Sequence, residues 1–360
     1  MIPVMARLVK PPAQDIVPRH RLDIFAAAVA DKKVTLVTAG AGYGKTTFAL
    51  GAIDEILLGS NLRKVVWYRP DRSDGDIHRF LAHLSAGIRH HYPDFWEDPA
   101  AITGNNSSDN PDIDSMAAGF LNALDAGVSH DLYLVIDDFH GLDRTGDVNR
   151  FLQTVLDCFP RFFHLVIITR SIPELKLSRL MSQRELNWVT QTHLAFDPVE
   201  TGALLRHLSS ASDHDSEVDD TTVNQLHQLS EGWATGLILL DSSLTKRLPS
   251  AVPEDRRFRG SQRLIFDYLE ENVFSLISPD LQQFVLKSAI LSTLHEDLCN
   301  RLLNIQSAGS ILHHLEAHHL FTSAVDEDRQ FFRFHPMFRD FLKVKLGMVF
   351  SSSQVAELYT

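Results

Sequence analysis

The sequence predicts an α/β fold: a parallel sheet with helices on both faces, followed by a small helical domain and a winged-helix-like domain. Three observations predict it. β-type apolar runs alternate with helical segments through the first half, as in a sheet covered on both sides. The stretch AGAGYGKTT at 39–47 lies between one such run and a helix-prone segment. The second half is helical in period until two short strand-like runs and a closing helix at its end.

The first strand is expected at 34–38, ahead of the glycine-rich stretch, and the following helix at 48–57. A strand, loop, helix order of this kind makes a phosphate-binding loop, so the first half is expected to be a P-loop NTPase domain. Small residues at Gly40, Ala41, Gly42 and Gly44, with Tyr43 among them, let successive N–H groups turn inward around an anion. The helix that follows adds positive potential there. Lys45 is placed to reach the β- and γ-phosphates, Thr46 to put its hydroxyl on Mg²⁺, and Thr47 closes the loop. The motif asks for glycine where this chain has Ala39. A dinucleotide-binding G-x-G-x-x-G read from Gly40 fails, because Lys45 stands where the last glycine is needed. The ligand expected is ATP or ADP with Mg²⁺.

A second strand is expected at 64–68, and Ile77, Phe80, Leu81, Leu84 and Ile88 then share a helical face. Residues 98–113, rich in Asn, Asp, Ser, Gly and Pro, read as a loop, and a helix at 115–126 leads to a strand at 132–136. That strand belongs to LVIDDFHGLD at 134–143. Asp137, at its C-terminal end, is the candidate to hold Mg²⁺ through water, and Asp138 the candidate to orient or deprotonate the attacking water. The fourth strand, at 164–169, ends in Thr169 and Arg170, with Arg170 the candidate to touch a γ-phosphate. A fifth is expected at 186–190.

A boundary is expected near Phe196. Asp197, Pro198 and Glu200 then supply an N-cap, a first-turn proline and a capping-box acid. Residues 209–220 read as an exposed loop, and a helix follows to about Leu229. Residues 246–261 look like a linker. Apolar residues at three- and four-residue spacing predict helices over 266–274 and 284–291, with shorter ones at 298–303 and 311–320. Two strands around the acidic turn Asp326, Glu327 and Asp328 and a last helix at 336–346 complete the winged-helix-like unit. That turn does not suit phosphate contact, so an internal packing role is expected for the unit rather than DNA reading. The domains expected are 1–195 (nucleotide-binding), 196–245 (small helical), 262–347 (winged-helix-like) and 348–360, the start of a downstream segment.

Composition narrows the function classes. A 44% hydrophobic content over 360 residues supports sizeable cores in two or three domains. No apolar run approaches the roughly 20 residues that span a bilayer and no signal-peptide pattern opens the chain, so no membrane partner and a cytoplasmic location are expected. A charge of −12 argues against unaided nucleic-acid binding. The two cysteines, Cys158 and Cys299, suit small core positions in a reducing compartment. His314 and His318 share a helix face, but the Glu of an H-E-x-x-H site is absent, so solvated or core histidines are expected.

These motifs, in this order, resemble the nucleotide-binding and oligomerisation module of MalT-type activators, large LuxR-type regulators among the STAND signal-transduction ATPases. The resemblance runs from about Leu8 to Leu346. It rests on VPRHRL at 17–22, AGAGYGKTT, LVIDDFHGLD, HLVIITR, LSEGWATGL at 229–237, FDYLEENVF with FVLKSAIL, and FRFHPMFRDFL at 332–342. It implies that Arg19 lies at the nucleotide edge and that His335 reads bound ADP. Gly232, Trp233 and Ala234 match a G-x-P motif near the adenine, without its proline. It also implies an ADP-held closed state, an ATP-bound self-associating state and slow hydrolysis. DNA contact would come only through a downstream domain absent from this chain, and an inducer would bind a missing C-terminal sensor. The end at Thr360 then reads as a truncation after the switch module. A continuously cycling AAA+-like ATPase, or a STAND protein with another effector, are the alternatives; turnover rate separates the first of these, downstream sequence the second.

Overall fold

The computed structural model describes residues 3–12, 17–96, 112–142, 146–210, 218–245 and 254–358. The chain divides into two compact units. One holds Met1–Ala39 and Gly44–Leu194, the other Gly40–Tyr43 and Ala195–Thr360.

In the first unit five parallel strands form one sheet in the order β2-β3-β4-β1-β5. They are β1 (Val34–Thr38), β2 (Lys64–Tyr68), β3 (Leu132–Ile136), β4 (Phe163–Thr169) and β5 (Leu186–Thr190). All five stand where the apolar runs predict them, β4 one residue longer. β1, β3 and β4 are buried at every residue, as expected for central strands with both faces covered. Val34, Leu36, Leu132, Leu134, Ile136, Leu165 and Ile167 belong to one core with the helices Ile77–Arg89, Ile113–Gly127 and Gly146–Asp157. The helices Asp23–Asp31 and Lys45–Gly59 pack against the sheet as well. The helix Ile113–Gly127 starts earlier than expected because Asp112 caps it, accepting from the Ser115 amide at 3.2 Å. The helix Gly146–Asp157 was not anticipated, although Val148, Phe151, Leu152, Val155 and Leu156 give it a buried face at helical spacing. Most of the expected 98–113 loop, and Asp143 of the LVIDDFHGLD run, lie outside the described residues.

The second unit begins with the helix Pro198–Ser210. Its capping box is present: Asp197 Oδ1 accepts from the Glu200 amide at 2.8 Å, and Glu200 Oε2 from the Asp197 amide at 3.1 Å. It packs with Asp220–Ser230 and Ala234–Thr245. Of the expected 209–220 loop, 211–217 lie outside the described residues. The expected linker needs correcting, because the helix Glu254–Asn272 takes in 254–261, while 246–253 lie outside the described residues.

Helices Pro279–Ser288, Glu296–Leu303 and Ala308–Ala317 follow, then a three-stranded antiparallel sheet in the order β6-β8-β7. β7 (Thr322–Ala324) and β8 (Phe331–Phe334) flank the acidic turn; β6 (Leu294–His295) is too short to leave a sequence pattern. The helix Pro336–Val349 closes the unit, with Phe338 and Phe341 stacked in its core. Cys299 is buried, and burial pushes its thiol up to about 11. Cys158, expected in a core, is exposed.

Candidate nucleotide-binding site

The candidate site residues of the first unit follow the C-terminal ends of parallel strands, except Arg19, which precedes β1. Gly44 caps the helix Lys45–Gly59 with φ +80°, and a Cβ there would meet nothing within 4 Å, so conformation rather than space calls for glycine. Lys45 opens the helix and is buried. Burial first, then Arg170, lowers its amine to about 8, against opposing pulls from Asp138 and Asp137. A buried ammonium among these groups is poised for an anion.

The β-strand register sets the spacing. Thr38 pairs with Thr169, so the end of β4, carrying Thr169 and Arg170, flanks the loop strand. Ile136 pairs with Ile167, which puts Asp137 one strand further out. Thr46 donates from Oγ1 to Asp137 Oδ1 at 3.1 Å, across a sequence gap of 91 residues. Asp137 is fully buried; burial, then the neighbouring Asp138, raises its carboxyl above the usual range. Arg69, the first residue beyond β2, donates to Asp137 Oδ2 at 3.1 Å. Sequence reasoning missed Arg69; no motif marks it beyond its place at the end of an apolar run. Asp138 is left-handed (φ +65°) with a half-exposed side chain, and His140 Nδ1 lies 3.9 Å from its Oδ1. Arg19, from the VPRHRL run, donates to the Leu194 carbonyl at 2.8 Å. Thr47 lies in the first turn of the loop helix.

Gly40–Tyr43 cluster with the second unit. Tyr43 is buried with its ring 6.3 Å from that of Phe321; burial, then Glu231, pushes its hydroxyl up. His335 precedes the helix Pro336–Val349, as the hairpin-to-helix reading predicts. Its Nε2 is 2.8 Å from the Ser230 carbonyl, which fixes that nitrogen as donor. Nδ1 is buried without a partner, and burial holds the ring's pKa below the ordinary histidine value. The ring is therefore neutral, and Nδ1 is an acceptor. His318 Nδ1 bonds the His314 carbonyl at 2.8 Å.

Several observations test whether these residues suit a Mg²⁺-bound polyphosphate. Lys45 is a buried cation at the start of a helix, and the Thr169 hydroxyl beside the loop strand is buried without a partner. Thr46 and Asp137 bring a hydroxyl and a buried carboxylate together. Among the described residues no group of three or more His, Cys, Asp or Glu could hold an ion alone, but Mg²⁺ takes one or two protein oxygens and fills its shell from phosphates and water. The donor set fits.

A parallel sheet with a phosphate loop after β1, followed later in the chain by a winged-helix unit, defines the class: an α/β P-loop NTPase fold with a helical and winged-helix extension. Within that class the chain is similar to the MalT-type regulators. Residues 269–353 match the family described as the MalT winged helix domain. The HTH-type transcriptional regulator MalT of Yersinia enterocolitica is 29% identical over 340 residues, covering 92% of this chain and 35% of that protein. Its Yersinia pestis counterpart is 28% identical over the same shares. The chain thus spans about a third of the length of the relatives it matches. Among solved structures, a Walker-type ATPase of Pyrococcus abyssi shares the fold with a TM-score of 0.59 at 12% identity, over 93% of this chain and 99% of that one.

The winged-helix match overturns one expectation. The resemblance implies DNA contact only through a domain absent from this chain, yet a match to a winged-helix domain, a fold typically used to bind DNA, lies within it at 269–353. The acidic hairpin turn misled, because it is one short loop of that domain and says little about its other surfaces. No described helix is long and apolar enough to cross a membrane.

Proposed function

We propose that this chain is an ATP/ADP-dependent signalling switch of a transcriptional regulator, with an ADP-bound closed resting state, an ATP-bound self-associating state and slow hydrolysis between them. The observation that carries the reading is the convergence of Lys45, Thr46, Asp137, Asp138 and Arg170 at the ends of β1, β3 and β4. In it, Gly40–Gly44 cradle the phosphates, Lys45 and Thr47 hold them, and Arg19 lies at the nucleotide edge. Thr46, and Asp137 through a water, would hold Mg²⁺, which when bound would supply charge neutralisation at the phosphates. Asp138 orients the attacking water. Arg170 reports the γ-phosphate, and its differential contact biases the two states. The domain layout that serves this is 1–195, 196–245, 262–347 and a further segment from 348. His335 is the latch for ADP. A neutral ring already donating to Ser230 has no second proton, so holding a phosphate means releasing Ser230 or gaining a proton.

Nucleotide titration and turnover test the reading together. Arg170→Ala should weaken ATP about tenfold or more while ADP affinity changes little, because only ATP offers the γ-phosphate. Wild-type protein should turn over slowly and retain ADP. Equal losses for both nucleotides would make Arg170 structural, and rapid continuous turnover would replace the switch with a cycling ATPase.

A further inference from the structure

The phosphate loop's backbone has a feature that the nucleotide reading does not use. For a loop to turn N–H groups inward around an anion, its carbonyls must face the other way, and a buried carbonyl needs a donor. Trp233 is fully buried and donates from Nε1 to the Ala41 carbonyl at 2.9 Å. Thr235 donates twice to the Gly42 carbonyl, from its amide at 3.0 Å and from Oγ1 at 3.1 Å. The approach is close. A Cβ on Gly42 would come within 2.5 Å of Thr235 Oγ1 and 2.7 Å of Trp233 Nε1, at a φ of +77°.

The indole is itself held in place. Its ring lies against Gly236, where a side chain would overlap it. Phe321 meets it edge-on at 5.0 Å, Tyr268 packs at 5.6 Å and His335 at 6.0 Å. The Trp233 amide bonds the Ser230 carbonyl at 2.8 Å, the residue whose carbonyl also receives His335. A ring this enclosed has no free face for a base.

We propose that Trp233 and Thr235 are positioning residues for the phosphate loop. They hold the Ala41 and Gly42 carbonyls outward, so that the loop amides are turned to the pyrophosphate portion of a nucleoside di- or triphosphate before it arrives. This rests on the nucleotide-binding reading above. Its consequence is that Trp233 governs affinity through the phosphates and not through the base.

The test uses Trp233→Phe, which keeps an aromatic ring and removes the N–H, and Thr235→Val, which keeps shape and removes the hydroxyl. ADP and inorganic pyrophosphate, both with Mg²⁺, are titrated calorimetrically against each variant, with circular dichroism and melting temperature as controls. Each change should weaken both ligands by the same factor, about three- to tenfold for one lost hydrogen bond. Amide exchange of 41–45 in the ligand-free protein should speed up. Loss of ADP affinity with pyrophosphate unchanged would show a base contact and overturn the proposal. So would unchanged binding of both ligands by Thr235→Val, which carries the test if Trp233→Phe fails to fold. Wild-type protein that binds neither ligand would remove the nucleotide reading, and this inference with it.

Discussion

Lys45 and His335 are both buried bases held below their ordinary pKa, with opposite consequences. With its amine near 8, Lys45 in the free protein loses charge as the pH rises through that value, whereas a bound phosphate favours the charged form. ADP affinity should therefore fall between pH 7 and pH 9, by up to about tenfold per pH unit above 8, with proton uptake on binding. Calorimetry in buffers of differing ionisation enthalpy reads both; an ordinary lysine would show neither below about pH 10. Lys45→Ala should abolish ATP and ADP binding with circular dichroism unchanged. For His335 the consequence is stability. Its folded pKa is depressed by burial, so between that value and the unfolded value of about 6.5 the unfolded chain binds the extra proton. Stability present above about pH 6.5 is lost as the pH falls from there through the folded pKa. Urea titrations at pH 5 to 7.5 should give a flatter pH dependence for His335→Leu than for wild type. The same variant should release ADP faster if the ring is the latch.

At the scale of elements, the parallel sheet was legible because its strands announce themselves. Runs such as Val34–Thr38 and Leu132–Ile136 are short, apolar and rich in β-branched or aromatic residues, which favours a covered strand over a helix. The capping box at Asp197 and Glu200 was equally plain, since both partners are local. What the sequence leaves unmarked depends on contacts distant in sequence. Arg69 meets Asp137 only because β2 pairs with β3, and Thr235 meets Gly42 across 193 residues. Trp233 stood inside a motif, but the motif directed attention to a base. One turn in the second unit yields a prediction of its own. Glu231 and Gly232 both take positive φ between two helices, and a side chain at Gly232 would overlap the Phe196 carbonyl, whose own amide bonds the Gly232 carbonyl at 2.9 Å. Gly232→Ala thus meets both backbone strain and a backbone obstacle, and should lower stability by about 2 kcal/mol or more. A chemical denaturation midpoint equal to wild type would mean that the turn relaxes freely.

At the scale of the whole molecule, the proposed switch concerns a chain that spans about a third of the length of the relatives it matches, so the question is what this chain does alone. Its charge of −12 opposes association of like copies, and added phosphates make that repulsion larger before Mg²⁺ offsets it. The self-association proposed for the ATP state would then have to come from a change of state and not from charge. Asp138 is the residue with which to arrest that state. It stands beside the buried Asp137 with a half-exposed carboxylate, and Asn in its place keeps the shape while removing the charge proposed to orient the attacking water. Asp138→Asn should bind ATP within a few-fold of wild type and hydrolyse it at least about a hundredfold more slowly. In Mg²⁺ and ATP it should sediment as a larger species over hours, whereas the wild type returns to its ADP-bound form as ATP is consumed. Raising the salt separates the two contributions: screening relieves repulsion in either nucleotide, so only a state change keeps the ATP-specific increment. If the variant sediments identically in ATP and ADP at every salt concentration, this chain does not act as the proposed switch.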